Sequence, residues 1–528
     1  MILRHSRTVR SLCRLFLCFL FTAIAGRSFG ADTEPFAGVD DRWSRYESPH
    51  FELFSQAGEA ESRQILHRLE LVRAVFDNQA QALEARPNPV TVYLFADGEA
   101  FRAYLPPTLQ GPQRLSGFYL NRPDRSVIVM SPVWDAKGAQ RLIFHEYIHH
   151  LSRVSGDTPA TWFDEGIAEY FSTIEEDGDH LSLGLPILEH LTYLRRVHLM
   201  PLADLFAVDH ASAAYNESER AGLFYAQSWL LLHYWFCGRE PMTTAQRAAR
   251  ERFFNFVRAE GGQGSSADRE KLFTECMGMS YDEAVRELET YVQGGNYTAS
   301  RMPIPDIDAA ESYAAAPLSK NQITVLLAEL QLRVVRSPAA KKILVEASTG
   351  YRRDLRALEV LGTDAVADGD MNTARELWEQ AFAAGSTNAS VLNELASLQT
   401  NDWFNRLDVD FRLPPPNANR LRSVLLRSIE NAPGQTKAYE LLAWVEAVAK
   451  DPMPANINLV QQHLSSLRPR DRTLLALAFT RARFGDFANA RLMLDRAEHD
   501  ATVPQALRWS RVLREYVSRR EAIAPRKS

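Results

Sequence analysis

His145 and His149 stand four positions apart with Glu146 between them, in the run His145-Glu146-Tyr147-Ile148-His149. On a helix, residues i and i+4 share one face, so the two imidazoles point the same way and can present two nitrogens to one cation. Further along, Trp162-Phe163-Asp164-Glu165-Gly166 offers a carboxylate, Glu165. Two histidines and one carboxylate are the donor set of an open zinc site, with a fourth position left for water or substrate. Glu146 is not needed as a ligand. Its carboxylate is free to take a proton from an attacking water, the chemistry of metal-assisted hydrolysis.

Two elements must bring these groups together. The apolar run Leu142-Ile143-Phe144 before the histidines would bury the first helix beneath the site. Pro159 and Thr161 mark the start of a second helix, with Trp162, Ile167 and Phe171 as its buried stripe. Gly166, next to the candidate ligand, permits close backbone approach. Glu169 lies one turn beyond Glu165 on the same face. It is the candidate acceptor for the second N–H of a ligating histidine. The bland alternative is two surface histidines and a solvated acidic face, which does not account for both halves of the pattern together.

The sequence H-E-x-x-H followed by W-F-x-E-G-x-A-E-Y resembles the gluzincin metallopeptidases, and most of all the bacterial peptidase-MA-like proteins. The resemblance covers roughly residues 40–300. It implies one Zn2+ per chain, held by His145, His149 and Glu165, with Glu146 as general base and a peptide or protein as substrate. It also implies that a downstream Tyr or His donates a hydrogen bond to the developing oxyanion. The segment Phe224-Tyr225-Ala226-Gln227-Ser228-Trp229 resembles the Y-A-Q-S-W segment of peptidase-MA-like proteins and makes Tyr225 that candidate. Tyr225 and His233 are equally compatible with ordinary core positions. The histidine-to-glutamate gap is shorter than in the zinc aminopeptidases and no G-x-M-E-N-type motif lies upstream, so exopeptidase specificity is not carried over.

The remaining chain sets the context. It has 528 residues, 46% hydrophobic and 24% charged, enough for several domains and a sizeable core. Residues 1–30 read as a signal peptide: Arg4, Arg7, Arg10 and Arg14 precede an apolar stretch from Leu15 to Ala25, and small residues follow. This implies a secreted or periplasmic location, or an N-terminal anchor if the segment is not cleaved. Its removal takes away five arginines and no acid, moving the formal charge from -6 to -11. Such a charge gives no electrostatic case for nucleic-acid binding, and no later apolar run is long enough to span a membrane. Of four cysteines, Cys237 and Cys276 remain after cleavage. A disulfide and two buried free thiols are both open to them.

Between the signal and the site, the pattern predicts a small mixed sheet. Phe51 and Leu53 alternate in a strand. A long helix through Ile65, Leu69, Val72 and Phe76 follows, then a strand at Val90–Phe95. Gly117–Leu120 and Val127–Met130 are expected to pair as a hairpin, with the first as an exposed edge where an extended peptide could add itself. Residues 172–300 read as helical. Met302-Pro303-Ile304-Pro305 marks a boundary, so residues 40–300 are expected to fold alone, with 301–318 as a linker.

Residues 319–515 read as a helical repeat region. Gly369-Asp370 is followed by Ala374, Trp378 and Ala381, and Gly485-Asp486 by Ala490, Leu494 and Ala497 at the same offsets. Leu361-Gly362 and Leu477-Ala478 precede them equivalently, and Pro433, Pro469 and Pro504 recur at near-regular spacing. This resembles degenerate tetratricopeptide repeats, with each proline ending a second helix; a generic helical bundle is the alternative. Residues 516–528 read as a basic tail. The fold class is therefore an α+β zincin-like metallopeptidase domain followed by an all-α, TPR-like repeat domain. Two functions fit it. One is a secreted zinc peptidase whose repeats hold a protein partner or substrate. The other is an interaction protein whose zincin-like domain is inactive.

Overall fold

A computed structural model describes residues 39–523, apart from 41, 81–89, 107–116, 132–136, 155–158, 213–214, 216–217, 239–242, 260–265, 295–296, 350–352, 407, 468–469 and 501–503. The signal-peptide reading of 1–30 lies outside the described residues.

The N-terminal half is built on a six-stranded mixed sheet. Strands β1 (Ser44–Glu47) and β2 (Phe51–Ser55) form an antiparallel pair. Helix α1 (Glu59–Ala80) then crosses to β3 (Val90–Leu94), which pairs parallel with β2. After the short α2 (Gly98–Arg102), β4 (Gly117–Asn121) and β5 (Ser126–Met130) form the expected hairpin. Strand β5 runs parallel to β3, which leaves β4 at the end of the strand order. The central strand β3, Val-Thr-Val-Tyr-Leu, is buried throughout, as a strand covered on both faces must be. Phe51, Leu53, Val92, Leu94 and Ile128 face α1 and the site helix α3 (Lys137–Val154). Phe54, Tyr93, Val127 and Val129 face the other way.

Helix α4 (Thr161–Phe171) follows, and then two strands not expected from the sequence, β6 (Glu175–Asp177) and β7 (His180–Leu183). They are joined through Gly178 at φ +66°, a conformation glycine adopts without a Cβ penalty. The reading of 172–300 as purely helical is corrected on this point. Helices α5 (Leu188–Leu194), α6 (Leu202–Ala207), α7 (Ser218–His233), α8 (Thr244–Ala259), α9 (Ser266–Met277) and α10 (Tyr281–Gly294) supply the rest of that segment. Trp162, Phe206, Trp229 and Phe253 are among the large residues at their common core. Cys237 and Cys276 are both buried and free.

Residues 301–318 are not a bare linker. Strand β8 (Ser300–Pro303) completes the small sheet beside β7, and β9 (Ala316–Pro317) pairs with β1. Helix α11 (Lys320–Val335) then lays Ile323, Leu326, Leu327 and Leu330 on the open face of the six-stranded sheet. Ala328 and Leu332, on its far side, pack into the helical region. The core of the six-stranded sheet thus continues past the expected boundary into α11.

A buried charge network reinforces this junction. Arg333 on α11 grips Asp124 of the β4–β5 turn through both carboxylate oxygens, and its Nε donates to Glu329 at 2.8 Å. Arg356, on α13, reaches Glu329, Glu52 of β2 at 2.6 Å and the Thr91 hydroxyl at 3.1 Å. Arg125 pairs with Glu359. Each buried charge has opposite-charge partners, which burial requires.

Beyond α11 the chain is helical: α12 (Pro338–Thr349), α13 (Leu355–Ala367), α14 (Met371–Ala383), α15 (Ala389–Arg406), α16 (Pro415–Asn431), α17 (Thr436–Val448), α18 (Pro454–His463), α19 (Asp471–Arg483), α20 (Phe487–His499) and α21 (Pro504–Ile523). The two Gly-Asp pairs are equivalent. Gly369 and Gly485 sit at φ +79° and +80°, and Asp370 and Asp486 each cap the next helix through the backbone N–H three residues on. Ala374, Trp378, Ala381, Ala490, Leu494 and Ala497 are all buried. A Cβ on Gly362 would lie 2.3 Å from Trp378 Nε1, so only glycine fits there. Pro504 opens α21 rather than ending a helix, a position where its missing N–H costs nothing. Pro469 lies outside the described residues. Tyr516 and Val517 are buried on α21, so the expected tail from 516 is helical up to Ile523, with its residues exposed from 518 onward.

Candidate metal centre

Helix α3 carries His145 and His149 on its buried face. Ile143, Phe144, Tyr147 and Ile148 anchor it against the sheet. Helix α4 crosses it and carries Glu165. Helix α4 also meets α7 closely at Gly166, where a Cβ would stand 2.7 Å from the Ser228 carbonyl oxygen. Any larger residue there would push α4 away from α7.

The three sequence-predicted ligands converge. His145 Nε2 and His149 Nε2 are 3.1 Å apart, and each is 3.2 Å from Glu165 Oε2. All three residues are buried, and they form a group able to hold a metal ion among the described residues. The geometry fits zinc. Bonds of 2.0–2.1 Å at tetrahedral angles put neighbouring donors about 3.3 Å apart. The observed triangle has nearly that edge, and its composition is that of an open three-ligand site.

The outward-facing atoms of the ligands meet a second set of polar groups. His149 Nδ1 is 2.9 Å from Asp164 Oδ2, which sets Nδ1 as the donor and leaves the Nε2 lone pair for a cation. Tyr215 donates its hydroxyl hydrogen to Glu165 Oε1 at 2.9 Å. Glu169 Oε1 stands 3.7 Å from His145 Nδ1, and its Oε2 lies 3.5 Å from His190 Nε2. Glu169 thus lies near His145, at 3.7 Å, beyond hydrogen-bond distance. Asp164, Tyr215 and His190 were not found by sequence reasoning.

The electrostatics follow from this packing. Burial opposes ionisation of Glu165, yet His149 and His145 outweigh it and hold its carboxyl well below the usual range. Glu169, buried likewise, is drawn down to about 2 by His190 and His145. Burial pushes both histidines toward the neutral form, and the carboxylates overcome it, raising His145 and raising His149 further. In both imidazoles a bound cation would replace a proton.

Glu146 is half-buried on the solvent side of α3. It lines a narrow cleft, with room for about one water, together with Leu142, Ile143, Ile128 and the edge-strand residues Phe118 and Tyr119. Tyr119 also ties β4 to α3: its hydroxyl lies 3.0 Å from His150 Nδ1 and 2.8 Å from the Ser126 hydroxyl. Tyr225 is buried on α7 with its ring centroid 6.4 Å from that of His145 and 5.9 Å from that of Tyr215. His233, on the same helix, belongs to the core. Its Nε2 donates to the Gly184 carbonyl at 2.8 Å, its Nδ1 accepts from Tyr291 at 3.0 Å, and burial lowers it to about 4. Among known proteins, no family model and no curated protein matches this chain.

Proposed function

We propose that the chain is an exported zinc-dependent peptidase of gluzincin type. In this reading the N-terminal half is zincin-like, and the helical half is a TPR-like array that binds a protein partner or substrate. The observation that carries it is the buried His145–His149–Glu165 triangle, its edges matched to tetrahedral zinc, with Glu146 beside it and not in it. Zinc, when bound, acts as a Lewis acid that lowers the pKa of water towards about 7 and polarises the scissile carbonyl.

The protein's own groups do the rest. Glu146, in the cleft beside β4, accepts the proton of the attacking water and passes it to the leaving amine. Strand β4, at the end of the strand order, offers its outer main-chain groups to an extended peptide. Tyr225, within the wall of the site, is the candidate donor to the oxyanion. Among the described residues no helix is long and apolar enough to cross a membrane.

Cleavage profiling of the purified full chain against a complex peptide library tests this reading. Zinc-loaded protein should generate new peptide termini that metal-stripped protein does not. Zinc-loaded protein that generates none would favour the interaction-protein alternative.

A further inference from the structure

Glu165 has two carboxylate oxygens, and the structure uses them differently. Oε2 faces both histidine nitrogens at 3.2 Å. Oε1 is turned away and accepts the Tyr215 hydroxyl at 2.9 Å. Tyr215 comes from a segment distant in sequence and is itself buried. Its ring is wedged between Phe224 and Tyr225, at centroid distances of 6.0 and 5.9 Å, with His210 at 5.0 Å on another side. The hydroxyl is therefore aimed by ring packing, not by chance rotation. A carboxylate whose second oxygen is free can swing to bind a cation through both oxygens. A buried donor on that oxygen occupies one of its lone pairs and opposes the swing.

From this contact we infer that Tyr215 is a positioning residue that restricts Glu165 to one-oxygen ligation and so keeps the fourth position of the metal open. Two-oxygen ligation would add a fifth donor alongside the water and crowd the position that a substrate carbonyl must enter. The inference rests on the metal-site reading above and deepens it, giving the site a device for staying open. Tyr215 acts through Glu165 and touches neither substrate nor the reacting atoms.

The test uses the full chain with Tyr215→Phe, which keeps the ring and removes only the donor. Zinc affinity is measured by chelator competition, and the coordination number by the visible spectrum of the cobalt-substituted protein. Tyr215→Phe should weaken zinc binding by about 10–100-fold, as the loss of a group orienting a ligand does. Its cobalt form should lose the intense bands of four-coordinate cobalt for the weaker bands of a five-coordinate ion. A purely structural Tyr215 would change thermal stability and leave the cobalt spectrum alone. Wild-type affinity and an unchanged four-coordinate spectrum in Tyr215→Phe would overturn the inference while leaving the metal site standing. A wild type that binds no zinc or cobalt would overturn both. If Tyr215→Phe folds poorly, Glu165→Gln and the wild type are compared instead. A neutral amide cannot both ligate and accept that bond, so Glu165→Gln should lose tight cobalt binding, and the wild-type spectrum then decides: it should be that of a four-coordinate ion, and a five-coordinate wild type would overturn the inference.

Discussion

His149 Nδ1 and Asp164 Oδ2 lie 2.9 Å apart across the crossing of α3 and α4, with Glu165 adjacent to Asp164 in the chain. One short stretch of α4 thus provides both a candidate ligand and a carboxylate that orients the candidate ligand on the neighbouring helix. Asp164→Asn keeps the shape but removes the charge, and zinc affinity should fall by about 10–100-fold. Glu169→Ala should fall in the same range through His145, whereas Glu165→Ala should abolish tight binding. Chelator competition ranks the three variants. A Glu169→Ala loss exceeding that of Glu165→Ala would mean that the ligand is misassigned.

Gly166 sets the separation of α4 and α7. Gly166→Ala drives a methyl into the Ser228 carbonyl oxygen at 2.7 Å, a backbone atom that cannot rotate aside. Overpacking of this kind costs about 1–3 kcal/mol. Thermal unfolding should report that loss, and zinc affinity should fall with it because Glu165 moves with α4. An unchanged melting temperature would show that the two helices can separate freely.

Cutting the chain after Met302 removes α11 and, with Arg356 and Arg333, one arginine partner each of Glu52 and Asp124, leaving them Arg45 and Arg125. Tyr93, Val127 and Val129 would lose their cover. The truncated protein should be insoluble or should unfold without a cooperative transition, in contrast to the full chain. Cooperative melting of the fragment near the full-length temperature would show that the two halves have separate cores.

The junction also predicts an acid response. Burial raises the cost of charging Glu329, but Arg356, Arg333 and Arg125 outweigh it and lower its pKa from 4.5 to about 2. A carboxyl depressed on folding contributes stability above its unfolded pKa, and that contribution is lost as pH falls through the folded value. Melting temperature should therefore decline between pH 4.5 and about 2, and Glu329→Gln should flatten the decline within that window. An identical slope in the variant would remove Glu329 from the account.

Much of the site is legible because helical spacing is local. The pairs His145–His149 and Glu165–Glu169 each follow from i, i+4 geometry, Glu165 itself being chosen as a carboxylate donor on the second helix, and the β4–β5 hairpin follows from its two apolar runs around a turn. Tyr215 is not legible, since the bond to Glu165 joins residues 50 apart and depends on how the intervening helices fold back. Asp164 had a weak signal, a carboxylate directly before the ligand, but its partner is fixed only by the angle between α3 and α4. The β6–β7 hairpin had a clear one, Asp177-Gly178, passed over within a helical stretch. The core that continues past the expected boundary was hidden for a similar reason. Helix α11 is apolar nearly all round, Ile-Thr-Val-Leu-Leu-Ala-Glu-Leu-Gln-Leu, the mark of a helix buried on two sides and not of a first repeat on a free surface.

The peptidase claim rests finally on Glu146. It stands in the cleft beside the edge strand, next to a ligand in sequence and outside the ligand triangle. Glu146→Gln preserves shape and removes the base. The direct measurement is peptide-cleavage rate and zinc content on the same preparation. The account predicts a rate reduced by about 10²–10⁴-fold with zinc still near one per chain. Near-wild-type cleavage by zinc-replete Glu146→Gln protein would contradict it.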